Sequence, residues 1–166
     1  MSQAIFLDRD GVINFERGDY TFRIEDFSFV DGIIDACIEW TNKGYPIIII
    51  TNQGGIAKNR YGHKDVAVLH QHIIDKLSES GVSITDVYYC PHHSEIESCY
   101  CRKPKPLMIE RALHQHNLKS ENCVIIGDSD RDIDAANQAG VQGIKITANH
   151  LPNNIIELVE DVFQSR

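Results

Sequence analysis

The sequence predicts an α/β fold, a Rossmann-like doubly wound parallel sheet, and two observations carry that expectation. Short apolar runs alternate with stretches of helical periodicity along the chain. Two of those runs, IIIIT at 47–51 and CVIIG at 123–127, are apolar without interruption, as strands buried on both faces are.

The elements follow in order. QAIFLD at 3–8 reads as a first strand. Asp31 is placed to cap a helix over about 32–43 that Gly44 ends. Pro46 opens the second strand. Val66, Leu69, Ile73, Ile74 and Leu77 form a helical stripe within 64–80, closed by Gly81. ITDVYYC at 84–90 is a third strand, and 106–117 a helix. CVIIG is followed by a helix over about 130–139 that Gly140 ends. GIKI at 143–146 is the fifth strand, and 153–164 the last helix. The alternation implies right-handed crossovers. No linker, repeat or low-complexity tract interrupts it, so 1–166 is expected to be one domain.

Composition narrows the classes of partner. The formal net charge of −8 argues against nucleic acid and anionic membrane. No apolar run is long enough for a membrane span, and the N-terminus lacks the pattern of a signal peptide, so a cytoplasmic location is expected. Cys37 and Cys123 sit in apolar surroundings and read as small core residues. His63, His70, His72, His114, His116 and His150 have no ligand spacing and read as surface residues.

Ligands of doubly wound sheets bind beyond the carboxyl ends of the strands. The first strand ends at Asp8-Arg9-Asp10-Gly11, the second at Thr51-Asn52-Gln53-Gly54, and the fourth runs into Gly127-Asp128-Ser129-Asp130-Arg131-Asp132. Arg102-Lys103-Pro104 lies in the loop before the 106–117 helix. One Asp or Thr after a strand is ordinary helix-cap or turn chemistry. Four such segments with complementary groups suit phosphoryl transfer. Asp8 and Asp128 are hard oxygen ligands for Mg²⁺. Asp8 can attack phosphorus and form an aspartyl-phosphate. Asp10, turned by Gly11, can protonate the leaving oxygen and later activate water. Thr51 offers a hydroxyl and Lys103 a charge to the phosphoryl oxygens.

A second constellation occupies CPHHSEIESCYC. Cys90, His92, Cys99 and Cys101 are spaced C-x-H-x6-C-x-C, three thiolates and an imidazole for a closed, structural Zn²⁺ site over about 90–104. His93 is the competing ligand, and a redox pair or metal-free cysteines the competing chemistry. Zinc would fix where Arg102 and Lys103 point.

DRDGV, TNQ, RKPKP and GDSDRD, in that order, resemble the haloacid dehalogenase (HAD) superfamily of phosphatases. The resemblance makes Asp8 the nucleophile and Asp10 the acid/base, with the Asp10 backbone carbonyl also on Mg²⁺. It makes Thr51 and Lys103 phosphoryl-binding residues, Asp128 a Mg²⁺ ligand and Asp132 the second acidic position. Asp130 has no counterpart and reads as a cap or a solvated charge. The CPHH and CxCRKP pattern is similar to the histidinol-phosphatase/heptose-bisphosphate-phosphatase branch, which lacks a large cap domain. By that likeness Asn52, Gln53, Arg102 and Lys103 contact substrate.

TNQGGIA and YYCPHH look like the heptose enzymes, which remove the C7 phosphate of D-glycero-D-manno-heptose 1,7-bisphosphate. Lys58, Arg60 and Arg17 are the cations expected to hold the second phosphate. The short metal loop is closer to the histidinol type, so histidinol phosphate stands as the alternative substrate. The enzyme is expected to be a monomer with a small phosphorylated sugar as its partner. Two non-enzymes compete: a phospho-acceptor signalling domain, which would place its acceptor on a middle strand, and a zinc-ribbon interaction module, which leaves the catalytic set unexplained.

Overall fold

The computed structural model describes residues 3–165. Five strands, β1 (Ala4–Leu7), β2 (Ile47–Asn52), β3 (Ile84–Cys90), β4 (Cys123–Gly127) and β5 (Gln142–Lys145), form one parallel sheet in the order β3-β2-β1-β4-β5. Four α-helices connect them, α1 (Ile33–Asn42), α2 (His63–Glu79), α3 (Leu107–Gln115) and α4 (Asp130–Gln138), and α5 (Ile155–Gln164) follows the last strand. The predicted doubly wound sheet is therefore present. No helix among the described residues is long and apolar enough to cross a membrane.

Side chains alternate across a strand, and the uninterrupted apolar runs use both faces. Ile5, Leu7, Ile47, Ile49, Val124 and Ile126 pack into one core with α1, α2 and α5, around a fully buried Trp40. Ala4, Phe6, Ile48, Ile50 and Ile125 pack into a second core with Met108 and Ile109 of α3 and Ala135 and Ala136 of α4. Cys37 and Cys123 are buried in these cores, as expected.

β1 lies between β2 and β4, and Leu7 is in register with both Ile49 and Ile126. From that level β2 runs on to Asn52 and β4 to Gly127. The chain turns outward from β2 on one side and from β4 on the other, so β1/β4 is the switch point where such sheets bind ligands.

One expected cap is not used. Asp31 is exposed, and α1 starts from Gly32 with φ 83° and no side-chain cap. That left-handed turn suits glycine and carries the chain past the point where the Asp31 carboxylate could reach the helix. In α4, Ser129 and Asp132 form a reciprocal capping box. Asp130 is exposed beside Lys145, a solvated charge.

Candidate active site

The end of β1 supplies Asp8. Its amide donates to Ile126 O across the sheet at 3.0 Å, which fixes the backbone against β4. Asp8 Oδ1 accepts from the Arg9 amide at 2.8 Å and from Lys103 Nζ at 2.9 Å. The chain then turns at Gly11, φ 84°, and the amides of Val12, Ile13 and Asn14 close back onto Arg9 O. That turn breaks the strand's alternation and brings Asp10 into the same cavity as Asp8.

Asp10 is held by three donors. Arg9 Nη2 and Asn14 Nδ2 reach Oδ1 at 2.9 and 3.0 Å, and Gln53 Nε2 reaches Oδ2 at 3.0 Å. Burial pushes this carboxyl up, but the Arg9 guanidinium and the three hydrogen bonds outweigh it and hold the group below the usual carboxylate range.

Lys103 is buried and uses all three of its protons. Nζ donates to Ile50 O at 2.7 Å, Asp8 Oδ1 at 2.9 Å and Asp132 Oδ1 at 2.6 Å. Asn52 latches the lysine's backbone: Nδ2 donates to Lys103 O at 3.1 Å, and Oδ1 accepts the Lys103 amide at 3.0 Å. Asn52 and Gln53 both line the cavity, but their amide groups are bonded to protein. Thr51 is buried beside them and accepts from Gln53 Nε2 at 2.9 Å.

One ammonium thus serves two carboxylates, and they divide it unequally. Asp132 also accepts from the amide and hydroxyl of Ser129, at 3.0 and 2.7 Å. Burial raises the Asp132 carboxyl, yet Lys103 and Ser129 bring it below its ordinary value. Asp8 goes the other way. Burial pushes it up to about 7; Lys103 lowers it, while the charges of Asp132 and Asp10 raise it further. Burial and then Asp132 likewise raise Asp128.

Asp8 and Asp128 are therefore the two carboxylates short of positive charge, and oxygens of Asp8, Asp128 and Asp132 lie within 4.8 Å of one another. Among the described residues Asp8, Asp10 and Asp132 are ion-paired to Arg9 and Lys103 alone, and Asp128 to neither. A divalent cation between Asp8 and Asp128 balances that charge. The backbone leaves room for the pair: a Cβ on Gly11 would stand 2.2 Å from Asp128 Oδ2. The donor set and its charge fit Mg²⁺, with Asp132 held back by Lys103 and Ser129.

In the metal loop, Cys90 closes β3, and His92, Cys99 and Cys101 come back to it. Cys101 Sγ is 3.1 Å and Cys99 Sγ 3.7 Å from Cys90 Sγ, while His92 Nδ1 is 3.3 Å from Cys101 Sγ and 3.5 Å from Cys90 Sγ. A tetrahedron with Zn–S bonds of ~2.3 Å has edges of roughly 3.5–3.8 Å, so the four donors sit close to the corners of a zinc site. The Arg102 amide points at Cys99 Sγ at 3.4 Å, which suits a thiolate. His93 is turned away: its Nδ1 accepts from the Glu95 amide at 3.2 Å, and the residue lines the cavity that holds Asp8 and Asp10.

The cavity measures about 580 Å³. Arg102, Arg131 and His93 contribute one part of its lining and Glu16 and Asp19 another. Neither Arg102 nor Arg131 is ion-paired to a carboxylate among the described residues. Lys58, Arg60 and Arg17, the cations the sequence put forward for a second phosphate, are not in the lining. Each is held by a nearby acid: Lys58 by Glu95 at 2.7 Å, Arg60 by Asp19 at 3.5 Å and Arg17 by Asp26 at 2.6 Å.

Sequence reasoning also missed Arg9, Arg131 and His70. Arg9 is 1% exposed; besides Asp10 it donates to Thr21 O at 2.7 Å and to His70 Nε2 at 3.3 Å. His70, expected at the surface, is buried under that guanidinium. A signal was available, because His70 falls between Leu69 and Ile73 on the apolar stripe of α2.

Comparison with known proteins agrees with this geometry. A HAD-hydrolase-like family model matches residues 100–151. The chain is 41% identical over 145 residues to the D-glycero-alpha-D-manno-heptose-1,7-bisphosphate 7-phosphatase of Photorhabdus laumondii, covering 84% of this chain and 79% of that one. It is 38% identical over 156 residues to the D-glycero-beta-D-manno-heptose-1,7-bisphosphate 7-phosphatase of Haemophilus influenzae, covering 91% and 82%. The D,D-heptose 1,7-bisphosphate phosphatase of B. bronchiseptica, crystallised with magnesium and phosphate, superposes with a TM-score of 0.87 at 25% identity over 99% of both chains.

Proposed function

The chain belongs to the D-glycero-D-manno-heptose-1,7-bisphosphate 7-phosphatase family of HAD-like hydrolases, and from that premise we propose that, as one catalytic domain, it hydrolyses the C7 phosphate of D-glycero-D-manno-heptose 1,7-bisphosphate through an aspartyl-phosphate on Asp8. The observation that carries this reading is the meeting of Asp8, Asp10, Thr51 and Asp128 from the ends of three strands with Lys103 from the loop before α3, its Nζ 2.9 Å from Asp8 Oδ1.

Both donors to Asp8 fall on Oδ1, which leaves Oδ2 as the nucleophilic oxygen. It attacks phosphorus, the bond from phosphorus to the C7 oxygen breaks, and that oxygen takes a proton from Asp10, which is ionised in the free site and gains that proton when the negative charge of the bound phosphate raises its pKa. Asp10, now ionised, accepts a proton from water as the water attacks the phosphorus of the aspartyl-phosphate. Inorganic phosphate leaves and the Asp8 carboxylate is restored. Thr51 donates its hydroxyl to a phosphoryl oxygen, and Lys103 places its charge where negative charge develops. The side chains of Asp8 and Asp128, with the Asp10 carbonyl, are the groups that would hold Mg²⁺, whose charge draws the phosphate in and keeps Asp8 ionised.

Cys90, His92, Cys99 and Cys101 would hold Zn²⁺, which pins the loop carrying Arg102 and Lys103. The non-reacting phosphate binds Arg102 and Arg131, the guanidinium groups of the lining left without carboxylate partners. Glu16 and Asp19 support a second reading, histidinol phosphate, whose ammonium would donate to carboxylates there.

Phosphate release in the presence of Mg²⁺, measured side by side on the bisphosphate and on histidinol phosphate, tests the proposal. The expected result is a large kcat/KM preference for the bisphosphate, abolished by Asp8→Asn. A preference for histidinol phosphate would retain the chemistry and overturn the substrate.

A further inference from the structure

Tyr61 belongs to none of the motifs above, yet its hydroxyl donates to Gln53 Oε1 at 2.7 Å. Gln53 in turn spends both amide protons in the site, one on Asp10 Oδ2 at 3.0 Å and one on Thr51 Oγ1 at 2.9 Å. A flipped amide would turn its oxygen onto the Asp10 carboxylate. The Tyr61 O–H reinforces the observed orientation by donating to Oε1. Burial pushes the Tyr61 phenol up to about 12, so it remains a donor at working pH.

Each carboxylate oxygen offers about two acceptor sites. Oδ1 of Asp10 is filled by Arg9 and Asn14, whereas Oδ2 receives Gln53 alone. Oδ2 is thus the oxygen with room for the catalytic proton, and the Gln53 amide determines which way that remaining site faces. Because Thr51 Oγ1 accepts from the same amide, its own O–H is left to donate. We propose that Tyr61 is a positioning residue which, through Gln53, aims the proton-bearing Oδ2 of Asp10 at the leaving oxygen.

The surroundings of Tyr61 fit that task. Its ring stacks on Phe22 at 5.0 Å and meets Tyr20 edge-on at 5.6 Å. A Cβ on Gly55 would come within 2.1 Å of Tyr61 Cε1, so the glycine clears the ring's seat. Tyr20 itself lines the mouth of the cavity.

The inference rests on the phosphatase reading, and the choice of leaving group separates the two. A sugar alkoxide must be protonated as it departs, whereas p-nitrophenolate departs unaided. Tyr61→Phe keeps the ring and removes only the O–H. Its kcat/KM on the heptose bisphosphate, which reports the step that expels the leaving group and not the later attack of water, is expected to fall about tenfold, and its kcat/KM on p-nitrophenyl phosphate by less than about threefold. Gly55→Ala, which displaces the ring while keeping its O–H, is expected to give the same split. An equal fall on both substrates, or no fall on either, would overturn the proposal. Absence of wild-type turnover on both would instead overturn the phosphatase reading.

Discussion

Asp132 holds the Lys103 ammonium at 2.6 Å, closer than the 2.9 Å that separates the same nitrogen from Asp8. A lysine equally near both would quench the nucleophile. The shorter contact, backed by Ser129, keeps the ammonium shared and leaves Asp8 in want of a cation.

Asp132→Asn should release Lys103 toward Asp8. The Asp8 carboxyl falls, its nucleophilicity drops and less of the lysine's charge reaches the phosphoryl group. Steady-state kinetics should show kcat reduced roughly 10- to 100-fold, equivalent to about 1.4–2.7 kcal/mol of barrier. Urea unfolding should register a loss of about 1.5–3 kcal/mol from the charged hydrogen bonds.

Gly11→Ala combines two faults, a left-handed backbone and a Cβ 2.2 Å from Asp128 Oδ2. The carboxylate must retreat from the Asp8 side of the cavity. The Mg²⁺ concentration for half-maximal activity should rise at least about tenfold, a loss of about 1.4 kcal/mol in binding. Unchanged Mg²⁺ dependence would sink the assignment of Asp128.

His70 makes stability depend on pH. Arg9 can only donate, so His70 Nε2 accepts and the ring is neutral in the fold. Burial, and then the guanidinium, lower its pKa from 6.5 to about 3. The unfolded chain therefore gains a proton below about pH 6.5 that the folded chain refuses down to about 3. This contribution to stability is full above that window and is lost as pH falls through it. Between pH 7 and pH 5 the wild type should lose about 2 kcal/mol more than His70→Gln, which keeps an acceptor for Arg9 but does not titrate. Urea unfolding of both proteins at the two pH values measures the difference.

The metal loop should respond in its own way. Metal analysis is expected to find one zinc per chain, and Cys101→Ser or chelation should lower the thermal midpoint. Arg102 depends on the loop through its bond to His92 O at 3.0 Å, whereas Lys103 is also held by Asn52 and Ile50. Zinc removal should therefore raise KM for the bisphosphate more than it lowers kcat.

The fold was legible wherever burial on two faces left unbroken apolar runs, as in β2 and β4. The candidate site was legible because hard ligands and an amine near strand ends have few other uses. Contacts made by closure of the chain were not. Asn52 reads as a substrate contact until it meets Lys103, 51 residues away, and takes up that residue's backbone groups. Lys58, Arg60 and Arg17 carry the right charge, but their local acids Glu95, Asp19 and Asp26 claim it. Arg9 looks in sequence like one more charge among aspartates. Only the packing of α2 against the first turn makes it a buried strut between Asp10, Thr21 and His70.

Lys103 and the exposed tip of the loop before it are mechanically independent. Cys90 closes a strand, Lys103 hangs from Asn52, and the intervening tip at 94–98 is exposed. That tip is an interchangeable cassette. A lineage can lengthen, shorten or recharge it while the ammonium stays in register. A protein engineer can transplant foreign tips between His92 and Cys99 with the same freedom.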